Sequence, residues 1–154
     1  MHTLVLGIGN TLLSDEGVGV HVIHYLQQHH ACLPETEYVD GGTLSFTLAG
    51  LIEQASNLIV IDAAQLHARA GTVRTFIGDE MDHFLSHNRK SSVHEVSLMD
   101  LLSIATLTEQ LPPQRALIGI QPQVIDWGET PSAEVQAAIP QACAQAVSLI
   151  EAWQ

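Results

Sequence analysis

The sequence predicts a single α/β domain over residues 1–154, built on an open, mostly parallel five-stranded twisted sheet with helices on both faces. Short apolar runs alternate along the chain with patterns of helical spacing, the arrangement of a doubly wound fold. One run, NLIVID, is apolar almost throughout, as a strand covered on both faces should be. No Ser/Gly tract, charged block or low-complexity segment divides the 154 residues, a length that suits one core.

Each element has its own signal. The first strand covers 3–8 (TLVLGI), and the helix after it turns Val18, Val22, Ile23 and Leu26 inward at spacings of three and four. The second strand covers 36–40 (TEYVD), followed by a helix marked by Leu48, Leu51, Ile52 and Ala55. The third, 57–62, leads without a clear helical pattern into 72–77 (TVRTFI), which is therefore expected to run antiparallel at an edge. Leu98, Leu101, Leu102 and Ala105 mark the helix before the fifth strand, 115–120 (RALIGI). A last helix runs from about 132 to 153, with Ser132 as N-cap and Val135, Ile139, Ala142, Ala146, Leu149 and Ile150 inward. Pro140 is expected to kink or restart it.

Composition excludes several classes. Seventeen acids against five bases give a formal charge of -12, which repels nucleic acid and anionic lipid alike. The longest apolar runs fall far short of the roughly 18 residues that cross a bilayer. The N-terminus lacks a basic flank and a small-residue cleavage site, so a cytoplasmic protein without a membrane partner is expected. The two cysteines, Cys32 and Cys143, form no metal or disulfide framework and are expected to be buried thiols.

The strand-to-helix turn LVLGIGNTLLSDEGVGVH looks at first like a phosphate loop. The dinucleotide pattern fails at its third glycine, where Leu12 stands, and no Gly-Lys-Ser/Thr follows. Asp15 and Glu16 at the helix start would repel an anion, so the nucleotide is rejected. In bland terms Ser14 or Asp15 caps the helix and Glu16 stabilises its first turn, worth roughly 1 kcal/mol. Gly7, Gly9, Gly17 and Gly19 exceed what a cap needs and read as clearance for something large to dock against the backbone.

In open α/β sheets, ligands bind beyond the carboxyl ends of the strands. Glu16 follows strand one and Asp62 ends strand three, so both carboxylates are expected at that edge, with His94 at the entrance to the helix before strand five. Two oxygens and one imidazole make an incomplete site suited to nickel, zinc, iron or manganese. Taken singly, Asp62 accepts turn hydrogen bonds and His94 caps a helix equally well; only their joint placement favours a metal. HEVSL is not a zincin motif, because Leu98 stands where the second histidine belongs. His83 and His87, beside Asp79, Glu80 and Asp82, read as a solvated cluster, and His21 and His24 either line the cleft or face solvent.

No nucleophile elbow is present, so any hydrolysis goes through water, with Glu16, Asp62 or Asp40 as base. Asp40 opens DGGT, whose Gly41, Gly42 and Thr43 offer either a bed for a peptide or an ordinary turn.

Five motifs in order, GIGNTLLSDEGVGVH, DGGT, VIDA, HEVSLMDLL and IGIQP, together resemble the maturation endopeptidases of nickel-iron hydrogenases over nearly the whole chain. The resemblance implies a carboxylate-dependent, aspartic-type peptidase that removes a short C-terminal peptide from the hydrogenase large-subunit precursor after nickel insertion. It implies that Glu16, Asp62 and His94 contact nickel carried by that precursor rather than a resident cofactor, and that the protein acts as a monomer. Two other classes are a nickel or precursor escort that does not cut, and a small-molecule metallohydrolase.

Overall fold

The computed structural model describes residues 2–88 and 96–154. Its sheet has the order β2-β1-β3-β5-β4, formed by β1 (Thr3–Ile8), β2 (Thr36–Gly42), β3 (Asn57–Ala63), β4 (Val73–Ile77) and β5 (Gln114–Ile120). The β1–β2, β1–β3 and β3–β5 pairs are parallel, and β4 runs antiparallel along β5 at the edge, as its position in the sequence predicts. The chain moves from β1 outward to β2 and then crosses back to β3, so the topological switch point lies between β1 and β3.

Alternation within the strands divides the core in two. Val5, Ile59, Ile61, Ile118 and Ile120 face α1 (Val18–His29) and α5 (Ala133–Ala152). Leu4, Leu6, Leu58, Val60 and Leu117 face α2 (Ala49–Gln54), α3 (Asp79–His87) and α4 (Leu98–Leu107). Both faces are therefore covered, which is why the central strands carry no polar face.

Four local features differ from expectation. The sequence over 79–87 shows no clear helical pattern, yet α3 forms there, because Met81 is buried and Phe84 and Leu85 pack beside it at helical spacing. Its remaining positions are polar, and they mask the stripe. α5 runs unbroken through Pro140 and does not restart. Val135, Ala138 and Ile139 before the proline and Ala142, Cys143 and Ala146 after it all belong to one packed cluster, so tertiary contacts outweigh the lost backbone donor. β2 continues to Gly42, because Gly42 pairs with Ile8 across a register shift and its carbonyl accepts the Gly9 N–H at 2.9 Å. Cys143 is buried, and that burial pushes its thiol up to about 12, but Cys32 is exposed after the end of α1.

α4 begins at a complete capping box. Ser97 Oγ accepts the Asp100 N–H, and Asp100 Oδ2 accepts the Ser97 N–H, at 3.1 and 2.9 Å. Ser97→Ala is expected to lower stability by about 1 kcal/mol, read as a shifted urea midpoint with unchanged slope.

Candidate active site

The site is assembled by close backbone packing after β1. At Gly9 the chain turns with φ +140, and a Cβ there would lie 1.9 Å from the Glu16 carbonyl oxygen. The segment folds back on itself, with Leu13 N–H donating to Asn10 O and Glu16 N–H to Leu13 O, and tightens into the single 3-10 turn Ser14–Gly17. α1 then begins, and at Gly19 it lies directly on the ends of β1 and β3: an added Cβ would meet Ile61 O at 2.2 Å and Ile8 O at 2.5 Å. This contact does the work that the third glycine does in a dinucleotide loop, but seven residues past Leu12.

Asp62 follows Ile61 in β3, so the same contact that seats α1 brings Glu16 and Asp62 to one place. Both half-buried carboxylates line a cleft of about 480 Å³ at the switch point. Its described wall also includes Ile8 and Gly9 after β1, Thr43 to Ser45, the exposed ring of Phe46, Leu85 of α3 with Asn88 just past it, and Val96 to Met99 at the head of α4. No Lys or Arg lines the cleft among the described residues. A cavity with two carboxylates and apolar walls attracts cations and lowers the screening of any charge brought into it.

Of the other residues singled out in the sequence, Thr43 lines the cleft and Asp40, Gly41 and Gly42 do not. Asp40 is exposed at the end of β2; its Oδ1 accepts the Gly42 N–H at 2.9 Å, and Oδ2 lies 3.8 Å from His24 Nε2. His94 lies outside the described residues; Val96, the first described residue after it, is on the cleft wall. Among the described residues, no group of three His, Cys, Asp or Glu side chains is arranged to hold a metal ion. His83 and His87 are exposed on α3 with their rings 4.1 Å apart, although Asp82 beside them forms a bidentate pair with Arg115. His21 is half-buried outside the cleft wall, and burial, with a smaller contribution from His24, holds its pKa below the usual value.

Two readings of the opening turn are corrected. Neither Ser14 nor Asp15 caps a helix, since Leu13 and Gly17 occupy the N-cap positions without side-chain bonds. Asp15 is instead fully buried. Its Oδ1 accepts the Ser132 N–H at 2.6 Å, and its Oδ2 accepts the N–H groups of Gln123 and Val124 and the Ser132 hydroxyl, each at 2.8 Å. Burial raises its pKa, but these four bonds together outweigh it, so the carboxyl is held below the ordinary aspartate value. Ser132 stands at the N-cap of α5 as expected, with its hydroxyl given to Asp15. The four glycines, for their part, make room for the protein's own chain. Beside Gly7 stand Ile23 and Gly19, beside Gly17 the backbone of Asn10 and Thr11, and Gly9 and Gly19 are filled as described above.

The fold and the site define a class: doubly wound α/β proteins with a carboxylate-bearing cleft at the switch point. Comparison with known proteins gives the particular family. The hydrogenase maturation protease family model matches residues 20–149. The hydrogenase expression/formation protein HoxM of Cupriavidus necator is 35% identical over 97% of this chain and 74% of its own length. The hydrogenase 2 maturation protease of Escherichia coli is 35% identical over 87% of this chain and 82% of its own. The solved structure of the hydrogenase maturating endopeptidase HybD from Escherichia coli superposes with a TM-score of 0.90 at 30% identity, covering 98% of this chain and 93% of that one. The chain belongs to the hydrogenase maturation protease family and is a peptidase. None of its described helices is long and apolar enough to cross a membrane.

Proposed function

We propose that the protein cuts a C-terminal peptide from the nickel-loaded precursor of a nickel-iron hydrogenase large subunit, with the precursor's own nickel as the recognition element. The observation that carries this reading is the meeting of Glu16, from the turn after β1, and Asp62, near the end of β3, in one cleft whose described wall has no Lys or Arg. Oxygen donors of this kind, joined by the His94 imidazole, suit a borderline divalent metal that arrives with part of its coordination already supplied.

In this mechanism Glu16, Asp62 and His94 take the open positions on the precursor's nickel and so fix the tail in the cleft. Binding the tail beside a fixed anchor converts an encounter into a positioned reaction. A water attacks the scissile carbonyl, a carboxylate takes its proton, and the departing amine leaves protonated. Glu16 and Asp62 are the carboxylates that face the cleft. Asp40, one strand away, reaches a peptide that runs over Gly41 and Gly42 toward Thr43. The protein works in the cytoplasm as a monomer in this reading.

The test is to incubate the protein with nickel-loaded and nickel-free precursor and follow the large subunit by intact mass. Only the loaded form is expected to shorten, and equal cleavage of both would remove nickel recognition. Glu16→Gln and Asp62→Asn are expected to slow cleavage roughly 100-fold or more at unchanged unfolding midpoint. Precursor that binds without ever shortening would point instead to an escort.

A further inference from the structure

The large exposed hydrophobic side chains are unevenly placed. Among the described residues, Leu12, Phe46, Val124, Ile125 and Trp127 stand on loops leaving the carboxyl ends of β1, β2 and β5, the edge that carries the cleft. Phe46 belongs to the cleft itself. The other four lie outside the cleft wall, on two loop segments that main-chain bonds join. Trp127 is 78% exposed, Ile125 57%, Leu12 50% and Val124 41%.

These four are held in place by main-chain bonds. Gly128 N–H donates to Leu12 O at 2.9 Å, Ser14 N–H to Gly128 O at 2.8 Å, and Asp15 N–H to Val124 O at 3.0 Å. The buried Asp15 carboxylate takes the N–H groups of Gln123 and Val124. The loop that holds three apolar side chains in water is thereby bonded to the segment that carries Glu16. An ordered loop with an exposed Trp and Ile has the composition of an interface centre.

Resting on the peptidase reading above, we propose that Leu12, Val124, Ile125 and Trp127 are the platform on which the folded body of the precursor lands while its tail enters the cleft. Charge and size select this occupant. The exposed acids at the platform are Asp126 and Glu129, and no Lys or Arg occurs in 9–17 or 121–132. A second copy, itself carrying a formal charge of -12, would set acid against acid. Four side chains also cover much less than the roughly 800 Å² per partner of a stable interface, so the occupant needs a second grip. A precursor has one, its tail, and linking the two contacts multiplies their strength. Such a platform calls for a complementary face that is apolar and rimmed by basic residues.

Docking is read apart from cleavage by tryptophan emission. In a Trp153→Phe background, nickel-loaded precursor is expected to blue-shift Trp127 as it leaves water. Kinetics on the same precursor then compare Trp127→Ser and Ile125→Asp with Leu107→Ser, an 84% exposed control at the end of α4 away from the cleft. The first two are expected to raise KM roughly tenfold with kcat within about twofold, and the control to change neither. Cleavage by the wild type with KM unchanged in both platform variants overturns the platform and leaves the peptidase reading standing. A blue shift without cleavage leaves the platform and overturns the proposed cleavage of the nickel-loaded precursor. No shift, or a wild-type dimer in sedimentation that Trp127→Ser dissolves, overturns the platform.

Discussion

Gly19→Ala is expected to destabilise the protein by more than the about 1–3 kcal/mol of ordinary overpacking and to abolish cleavage. Helix propensity alone argues the other way, since alanine is favoured over glycine inside a helix by about 1 kcal/mol. The distances decide the sign. An added Cβ meets Ile61 O at 2.2 Å, Ile8 O at 2.5 Å and Ile8 N at 2.9 Å, all of them backbone atoms that no rotamer change can move. Relief requires α1 to lift from the sheet, opening the contacts of Val18, Val22, Ile23 and Leu26 with Val5, Ile59 and Ile61. Lifting α1 also carries Glu16 away from Asp62, so activity should fall further than stability does. Gly50 supplies the contrast: it is helical and exposed, and an added Cβ there would have nothing within 4 Å. Gly50→Ala should therefore gain about 0.5–1 kcal/mol. Chemical denaturation of both variants, with cleavage of the loaded precursor alongside, checks the pair.

How much of the structure is legible in the sequence depends on how local the cause is. β1 is legible because TLVLGI satisfies a strand by itself, and β4 is legible as an antiparallel edge because no crossover helix precedes it. Glu16 and Asp62 fall on the cleft edge because strand ends in a doubly wound sheet share an edge whatever the details of packing. The glycines mislead because their neighbours are distant in sequence: nothing in GVGVH names Ile61 as the residue that fills the space beside Gly19. α3 is hidden for a different reason, since its apolar stripe is only Met81, Phe84 and Leu85 among acids and histidines. The apolar wall that α3 adds to the cleft through Leu85 is hidden with it.

Asp15 is the case where local and distant causes compete most directly, and it carries the other large prediction. By sequence it, or Ser14 beside it, is a capping residue worth roughly 1 kcal/mol. In the structure it is the common acceptor for four donors from Gln123, Val124 and Ser132, none of which the sequence places near it. Asp15→Asn keeps the shape but supplies only one acceptor oxygen. With its amide oxygen in the place of Oδ2 it keeps three of the donors, but the part-buried Ser132 N–H loses its acceptor and faces an NH₂, and the three retained bonds lose their charge, a loss of about 1–3 kcal/mol. That is a large share of the about 5–15 kcal/mol of a typical domain. The pH dependence has a definite sign. Because the folded-state pKa is below the ordinary 3.8, the unfolded chain takes up the proton first as pH falls. Asp15 therefore contributes its full stability above about 3.8 and loses it as pH drops through the lower, folded-state value. The stability gap between wild type and Asp15→Asn, measured by urea unfolding from pH 7 downward, should stay level and then narrow only below that point. A gap that narrows well above it would mean that the carboxylate is not the acceptor. The freed 121–132 loop should also become a protease target, and with it the platform bearing Ile125 and Trp127 should lose its order. If that platform seats the precursor, Asp15→Asn must raise KM even at temperatures where it remains folded, which a residue acting through stability alone would not do.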